Sequence, residues 1–379
     1  LISPLNSDLW SYFFLFIIAV KFRHRLILPH HTSDSQTSQY NNRVIIENFL
    51  KNVGNLLGKG DSLVLPVSVE LKNKLKQVNE SLRKQFPSKN YQPYEIRQKL
   101  QEAGRFHRFD KFQKNELDHL LGDKSIVGVD GSVNSTKGTE KRVLSVFQAL
   151  AKATRGGEKW AADVYTPLLE EEVEKEQEPA RQARKRGTLL SNLEMEVAIQ
   201  AMREWKPKAM LMDGSLLHYH IDDMGKWESV QRVALEEKVS VIGIAEEMGT
   251  STLVNELFPS YRGWTDRDLL YGVLEVGEAF LLDDRYFGGK MWRAVFRPSD
   301  SPVPVGLDGI IGQLDDQLDL IRLVYTLTPQ QGRGIPYWLD IVDNQVRVTN
   351  ALVQTMVEEY IDEDLRRRLL VTKRDERII

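Results

Sequence analysis

Ser125-Ile126-Val127-Gly128-Val129-Asp130-Gly131-Ser132 and, much later, Ala209-Met210-Leu211-Met212-Asp213-Gly214-Ser215 share one pattern. In each, a short apolar run reads as a buried strand, an aspartate arrives where the strand ends, and Gly-Ser lets the chain turn sharply. Asp-Gly-Ser is also ordinary turn chemistry. Its repetition behind two buried runs makes it a site signal. Two carboxylates delivered by strand ends can meet at one sheet edge, which is where ligands sit in α/β sheets. Paired acids there suit divalent-metal and phosphate chemistry.

The 379-residue chain has room for one large domain or two modest ones. Hydrophobic residues at 41% and charged residues at 28% describe an ordinary globular composition. The absence of cysteine excludes disulfides, thiolate metal sites and a cysteine nucleophile, and it fits a reducing cytoplasm, where we expect the protein to act. A net charge of −3 excludes a uniformly basic nucleic-acid coat but allows a local basic groove around an acidic centre. Leu9 to Val20 is apolar but shorter than the roughly 20 residues of a membrane span, and the basic cluster Lys21 to Arg25 follows it, the wrong order for a secretory signal. No methionine precedes Met195, and His31 to Asn42 is polar. We therefore expect residues 1–42 to be a disordered leader or mis-assigned extension, with no membrane partner.

From residue 43 to 122 the spacing of Ile45, Ile46, Phe49 and Leu50, and of Leu71, Leu75, Val78 and Leu82, predicts a helical arm punctuated by Pro66, Pro87 and Pro93. Strands are expected at Ile126–Asp130, Val143–Leu150 and Trp160–Tyr165, an antiparallel meander whose first member carries Asp130. A long charged helix should follow, acidic from Glu170 to Glu178 and then basic through Arg181, Arg184, Lys185 and Arg186. Its continuation, Leu189–Trp205, is apolar nearly all round and contains Glu194 and Glu196, and a carboxylate in such a helix needs a partner or a metal. After the Asp213 strand come a helix near Trp227–Glu237, the strand Val239–Ala245, β-like segments at Ala279–Leu282, Trp292–Phe296 and Val305–Ile310, and a last helix, Tyr337–Glu359, with Asp340 and Asp343. This order is that of an RNase H-like mixed sheet flanked by helices.

On these residues the chain resembles the NurA nuclease family from about Ser125 to Arg374. The resemblance rests on Val129-Asp130-Gly131-Ser132, Leu211-Met212-Asp213-Gly214-Ser215-Leu216, the Val241-Ile242-Gly243-Ile244 strand, and Gly334-Ile335-Pro336 leading into a helix that carries Asp343. It implies an RNase H-like nuclease domain over residues 123–379, two Mn²⁺ or Mg²⁺ ions, and 5′-to-3′ exonuclease resection of DNA ends in double-strand break repair, with single-stranded endonuclease activity as a further expectation. A homodimer working with a HerA-type hexameric ATPase translocase is implied as well. Asp130 and Asp213 match the two strand acids. For the helix acid, spacing to Asp213 favours Glu196 as the metal ligand, whereas the local run Leu193–Ile199 favours Glu194, and residues two apart on a helix lie about 200° apart. Asp343 stands where members often carry histidine; its carboxylate is a harder ligand that suits magnesium or manganese. Glu246-Glu247 replaces the basic residue expected after the Val241–Ala245 strand.

The basic cluster Arg181, Arg184, Lys185 and Arg186, together with Arg293 and Arg297 on a strand, supplies candidate DNA-phosphate contacts. His218 and His220, spaced by one residue on what reads as an extended segment, would share a face. Two other functions fit parts of the pattern. A phosphotransferase of the actin-like or sugar-kinase fold also places Asp-Gly in a first-strand turn, but Leu216-Leu217-His218-Tyr219 is a poor phosphate loop. A non-catalytic DNA-end-binding subunit would not need the full acidic set.

Overall fold

The structure is a computed structural model that describes residues 68–86, 92–103, 105–138, 141–170, 178–282 and 290–370. Expectations for residues 1–42, 45–50, 171–177 and 373–374 lie outside the described residues. The chain divides into two compact units, Leu1–Ser88 and Lys89–Ile379. Of the first, the described part is helix α1, Val69–Gln85, capped by the Ser68 hydroxyl, which accepts the Leu71 N–H at 3.1 Å. Glu70 in its first turn and Arg83 and Lys84 in its last complement the helix dipole. Leu71, Leu75, Val78 and Leu82 are each at least half exposed along one stripe.

The second unit is built on a nine-stranded mixed sheet. In chain order the elements are α2 (Pro93–Glu102), β1 (Phe106–Arg108), α3 (Lys114–Leu121), β2 (Ile126–Ser135), β3 (Ser145–Ala153), β4 (Glu158–Tyr165), α4 (Glu178–Trp205), β5 (Ala209–Asp213), α5 (Leu216–Asp222), α6 (Met224–Glu236), β6 (Ser240–Ala245), α7 (Thr252–Leu257), α8 (Asp266–Leu270), β7 (Glu278–Leu281), β8 (Met291–Arg297), β9 (Val305–Ile310), α9 (Gln317–Leu327), α10 (Tyr337–Val346) and α11 (Asn350–Tyr360). The strand order is β1-β7-β8-β9-β6-β5-β2-β3-β4. β2, β3 and β4 form the antiparallel meander, while β2, β5 and β6 run parallel. That five-stranded part is the RNase H-like core. β9, β8, β7 and β1 extend it by antiparallel pairing.

The central strands β5, β6 and β9 are buried on both faces, which explains their apolar runs, whereas the edge strand β4 is largely exposed. Val127, Val129, Met210, Met212 and Val241 pack towards α4 and α6, whereas Ile126, Ala209, Leu211, Ile242 and Ile244 pack towards α9 and α10. Close approach sets the geometry at two glycines. A Cβ on Gly128 would lie 3.0 Å from Trp338 and Val342, so the bare backbone lets α10 sit against β2. A Cβ on Gly309 would overlap the Trp292 indole at 2.0 Å.

Three expectations are corrected. The first strand does not end at Asp130: β2 runs on to Ser135, paired with β3 throughout, so Gly131-Ser132 is strand and not turn. The stretch read as a helical arm to residue 122 contributes β1, which pairs with β7 at the sheet edge; three residues are too few to show a period. The single helix expected over Tyr337–Glu359 is two, because β2 captures the joint. The Val348 N–H donates to Ser132 Oγ at 2.9 Å, Asn134 Nδ2 donates to the Val348 carbonyl at 3.1 Å, and Thr349 then caps α11 through the Leu352 N–H. β-Branched Val346, Val348 and Thr349 weaken the helix where this break falls.

Candidate active site

β2 and β5 are parallel neighbours with Val129 opposite Met212, so the next residue on each strand is an aspartate. Asp130 Oδ1 accepts the Gly131 N–H at 2.7 Å. Asp213 ends β5, and Gly214 turns away with a φ of +98°, its N–H donating to the Ile244 carbonyl at 2.9 Å. Glu194 comes from α4, which crosses β2 so closely that a Cβ on Gly131 would stand 2.3 Å from Glu194 Oε1. The glycine after Asp130 is therefore the seat of the Glu194 carboxylate. Tyr219 on α5, wholly buried and stacked on Trp227, donates from its hydroxyl to Glu194 Oε2 at 2.8 Å. Asp343 on α10 is held by Arg347 one turn on.

These carboxylates feel one another. Asp130 is pushed up from 3.8 to about 8, first by burial and then by the negative charges of Asp213 and Glu194, with Asp343 a smaller contributor. Asp213 is pushed up to about 6 by burial; Arg333 offsets this, while Glu194, Asp343 and Glu246 add to it. Burial and the Glu194 charge raise Tyr219 well above 10, so it stays a proton donor to Glu194 at any working pH. A carboxyl whose folded pKa lies above its unfolded value adds stability that is complete below the unfolded pKa and is lost as pH rises through the folded one. Metal-free protein should therefore lose stability between about pH 4 and pH 8, on the order of a few kcal/mol. Asp130→Asn should flatten that slope. Thermal unfolding in chelator at pH 5 and pH 9 checks it, and a wild-type protein equally stable at both would refute the linkage.

Residues 124–348 match the NurA domain family. This protein belongs to the NurA family. The crystal structure of the NurA nuclease from Sulfolobus solfataricus superposes with a TM-score of 0.50 at 15% identity, covering 80% of this chain and 98% of that one. The catalytic domain of human endonuclease V gives a TM-score of 0.34 at 12% identity, over 70% of this chain and 95% of its own. No curated protein sequence matches the chain.

The other candidate residues of this NurA-family chain fall in different places. Glu196 is half exposed, accepts a hydrogen bond from Gln200 and faces Lys226 at 3.8 Å. Of the two helix glutamates, Glu194 is the one whose charge acts on Asp130 and Asp213, while Glu196 lies on the side of α4 that faces Lys226. His218 and His220 do not share a face, because their segment is the helix α5; His218 Nε2 lies 4.0 Å from Glu194, and His220 meets Lys290 at 3.4 Å. Arg293 is buried on β8 and pairs with Asp308 at 3.1 Å. Asp308 in turn accepts from the Ser215 hydroxyl and the Leu216 N–H, so this pair braces the turn after Asp213 and is out of reach of a phosphate. Arg297 donates to the carbonyls of Leu274, Ser299, Asp300 and Ser301 and pins that loop. Arg181 and Lys185 pair with Glu170, while Arg184 is exposed and Arg186 half-buried on the same end of α4.

Tyr219, Asp308 and Arg333 also serve the site. The first two are signalled only by partners distant in sequence. Arg333, in Gly-Arg-Gly, had a local signal, a cation set between two glycines at a turn. Among the described residues no three Asp, Glu or His side chains form a ready metal cage. The donor set nonetheless fits a divalent cation in its chemistry: four hard oxygen donors from four elements, whose charges add to burial in raising Asp130. No helix among the described residues is long and apolar enough to cross a membrane.

Proposed function

We propose that this chain hydrolyses DNA phosphodiester bonds with divalent metal, as a nuclease resecting DNA ends from 5′ to 3′. The observation that carries this reading is the convergence of Asp130, Asp213, Glu194 and Asp343 at one end of the RNase H-like sheet, in a member of the NurA family. Mn²⁺ or Mg²⁺, two ions held among these four acids, would acidify the attacking water and offset charge on the leaving oxygen. The chain's own residues provide the frame. Asp213 ends β5 and Asp130 lies beside it within β2, Tyr219 fixes one oxygen of Glu194 and leaves the other over Gly131, and Arg347 pairs with Asp343. Arg184, Lys185 and Arg186 on the exposed end of α4 supply cations for the DNA backbone beyond the site.

A homodimer, a HerA-type hexameric ATPase partner and a role in double-strand break repair in the cytoplasm complete the proposal. The exposed apolar stripe of α1 supports the dimer. End-labelled single-stranded and duplex DNA, incubated with the purified chain, Mn²⁺ or Mg²⁺ and no ATP, should be shortened from the 5′ end, and chelator should stop it. Digestion that persists in chelator, or a strict need for ATP, would count against this function.

A further inference from the structure

Gly332-Arg333-Gly334-Ile335-Pro336 passes the end of the sheet just before α10. Gly334 turns with a φ of +97°, and a Cβ there would stand 2.9 Å from Val305, so both the turn and the close pass need glycine. The turn brings Arg333 to the C-terminal ends of β5 and β6. Its Nη1 donates to Glu246 Oε2 at 2.6 Å, and Glu246 is the residue after β6. Its Nε and Nη2 donate to Asp340 Oδ1 at 3.2 and 2.7 Å. Asp213, at the end of β5, pairs with Ile244, two residues before Glu246. The guanidinium is thus a neighbour of a site acid, and among charges it acts most strongly on Asp213. With 45% of its side chain exposed, it is open to an anion from solvent.

We propose that Arg333 grips the phosphodiester lying across Asp213, with Glu246 as the competing anion that holds the guanidinium in its place until DNA arrives. This rests on the nuclease function above. An arginine fork binds a phosphate through two parallel N–H donors. Asp340 keeps the Nε edge and so fixes the plane of the group, while the Nη1 edge is exchanged from Glu246 to phosphate. Pairs as exposed as Arg333 and Glu246 are weak. Giving up the Glu246 contact therefore costs little.

A scaffold role and a phosphate role differ in sign. If the ion pair only braces the turn, removing either partner harms binding alike; if Glu246 competes with phosphate, removing it helps. Anisotropy of a labelled oligonucleotide in chelator, over a salt series, reads this without turnover. Arg333→Gln should weaken binding about tenfold and lower the salt slope by roughly one, Arg333→Lys should fall between, and Glu246→Gln should tighten binding about two- to fivefold. With Mn²⁺, Arg333→Gln should cut kcat/KM by roughly 10²-fold while Glu246→Gln lowers KM. Unchanged affinity and salt slope in Arg333→Gln, or weakened binding in Glu246→Gln, would overturn the proposal; if Arg333→Gln does not fold, the Lys and Glu246→Gln variants decide. A wild-type protein that binds DNA without cutting it would remove the nuclease function and leave the binding comparison to stand.

Discussion

Asp130→Asn should reduce DNA hydrolysis by at least about 10³-fold, because it removes the acid at the centre of the cluster. Of the four carboxylates, Asp130 feels all three others, and it is the one raised to about 8. The same substitution keeps size and hydrogen-bonding shape, so folding should not suffer. Burial and like charge make Asp130 costly in metal-free protein, and an amide in its place should leave the unfolding midpoint unchanged or raise it above pH 7. Lost activity with retained stability is the signature of a site that trades folding energy for function. Single-turnover digestion in saturating Mn²⁺, paired with thermal unfolding, measures both. Activity within tenfold of wild type would show that the centre lies elsewhere; activity lost together with folding would make Asp130 a structural residue.

Glu194→Gln and Glu196→Gln should differ by about 10²-fold or more in turnover, with Glu196→Gln close to wild type. Glu194 is buried, fixed by Tyr219 and lies over Gly131, whereas Glu196 points to solvent beside Lys226. Glutamine at 194 can still accept from Tyr219, so the packing of α4 survives while the negative charge goes. Neutralising the exposed Glu196 touches one surface pair, worth about 0–1 kcal/mol at most. Metal titration of each variant should show a weakened apparent affinity for Glu194→Gln alone. If Glu196→Gln is the inactive variant, α4 must rotate in the working enzyme, and the arrangement of four acids described above would be wrong.

The two strand aspartates were legible because their signal is local, an apolar run followed by an acid and a glycine, although the glycine turns the chain only after Asp213 and stays in the strand after Asp130. Register then did the rest, since Val129 opposite Met212 makes Asp130 and Asp213 neighbours without further help. The RNase H-like order of elements was legible for the same reason, the central strands being covered on both faces and hence apolar throughout. Arg293 was misread because a cation on a strand gives no local sign of which way it faces. Inside the sheet it meets Asp308, opposite it on β9, and serves the turn after Asp213. The histidine pair was misread through the period: an extended segment repeats every two residues, and α5 does not.

Sequence alone determined which buried strands carry the aspartates, because strand and burial signals act over a few neighbouring positions; that β2 runs on past Asp130 was decided by its pairing with β3. Sequence also placed the glutamates two apart on a helix, which guaranteed that only one would meet the aspartates. Which one was decided by the tertiary structure, through the angle at which α4 crosses β2 and the empty Cα of Gly131 that lets it come so close. The break between α10 and α11, the bracing of Asp213 by Asp308 and Arg293, and the placing of Arg333 beside Glu246 were decided there too. Each depends on a contact between residues far apart in the chain, and such contacts exist only once the sheet has closed.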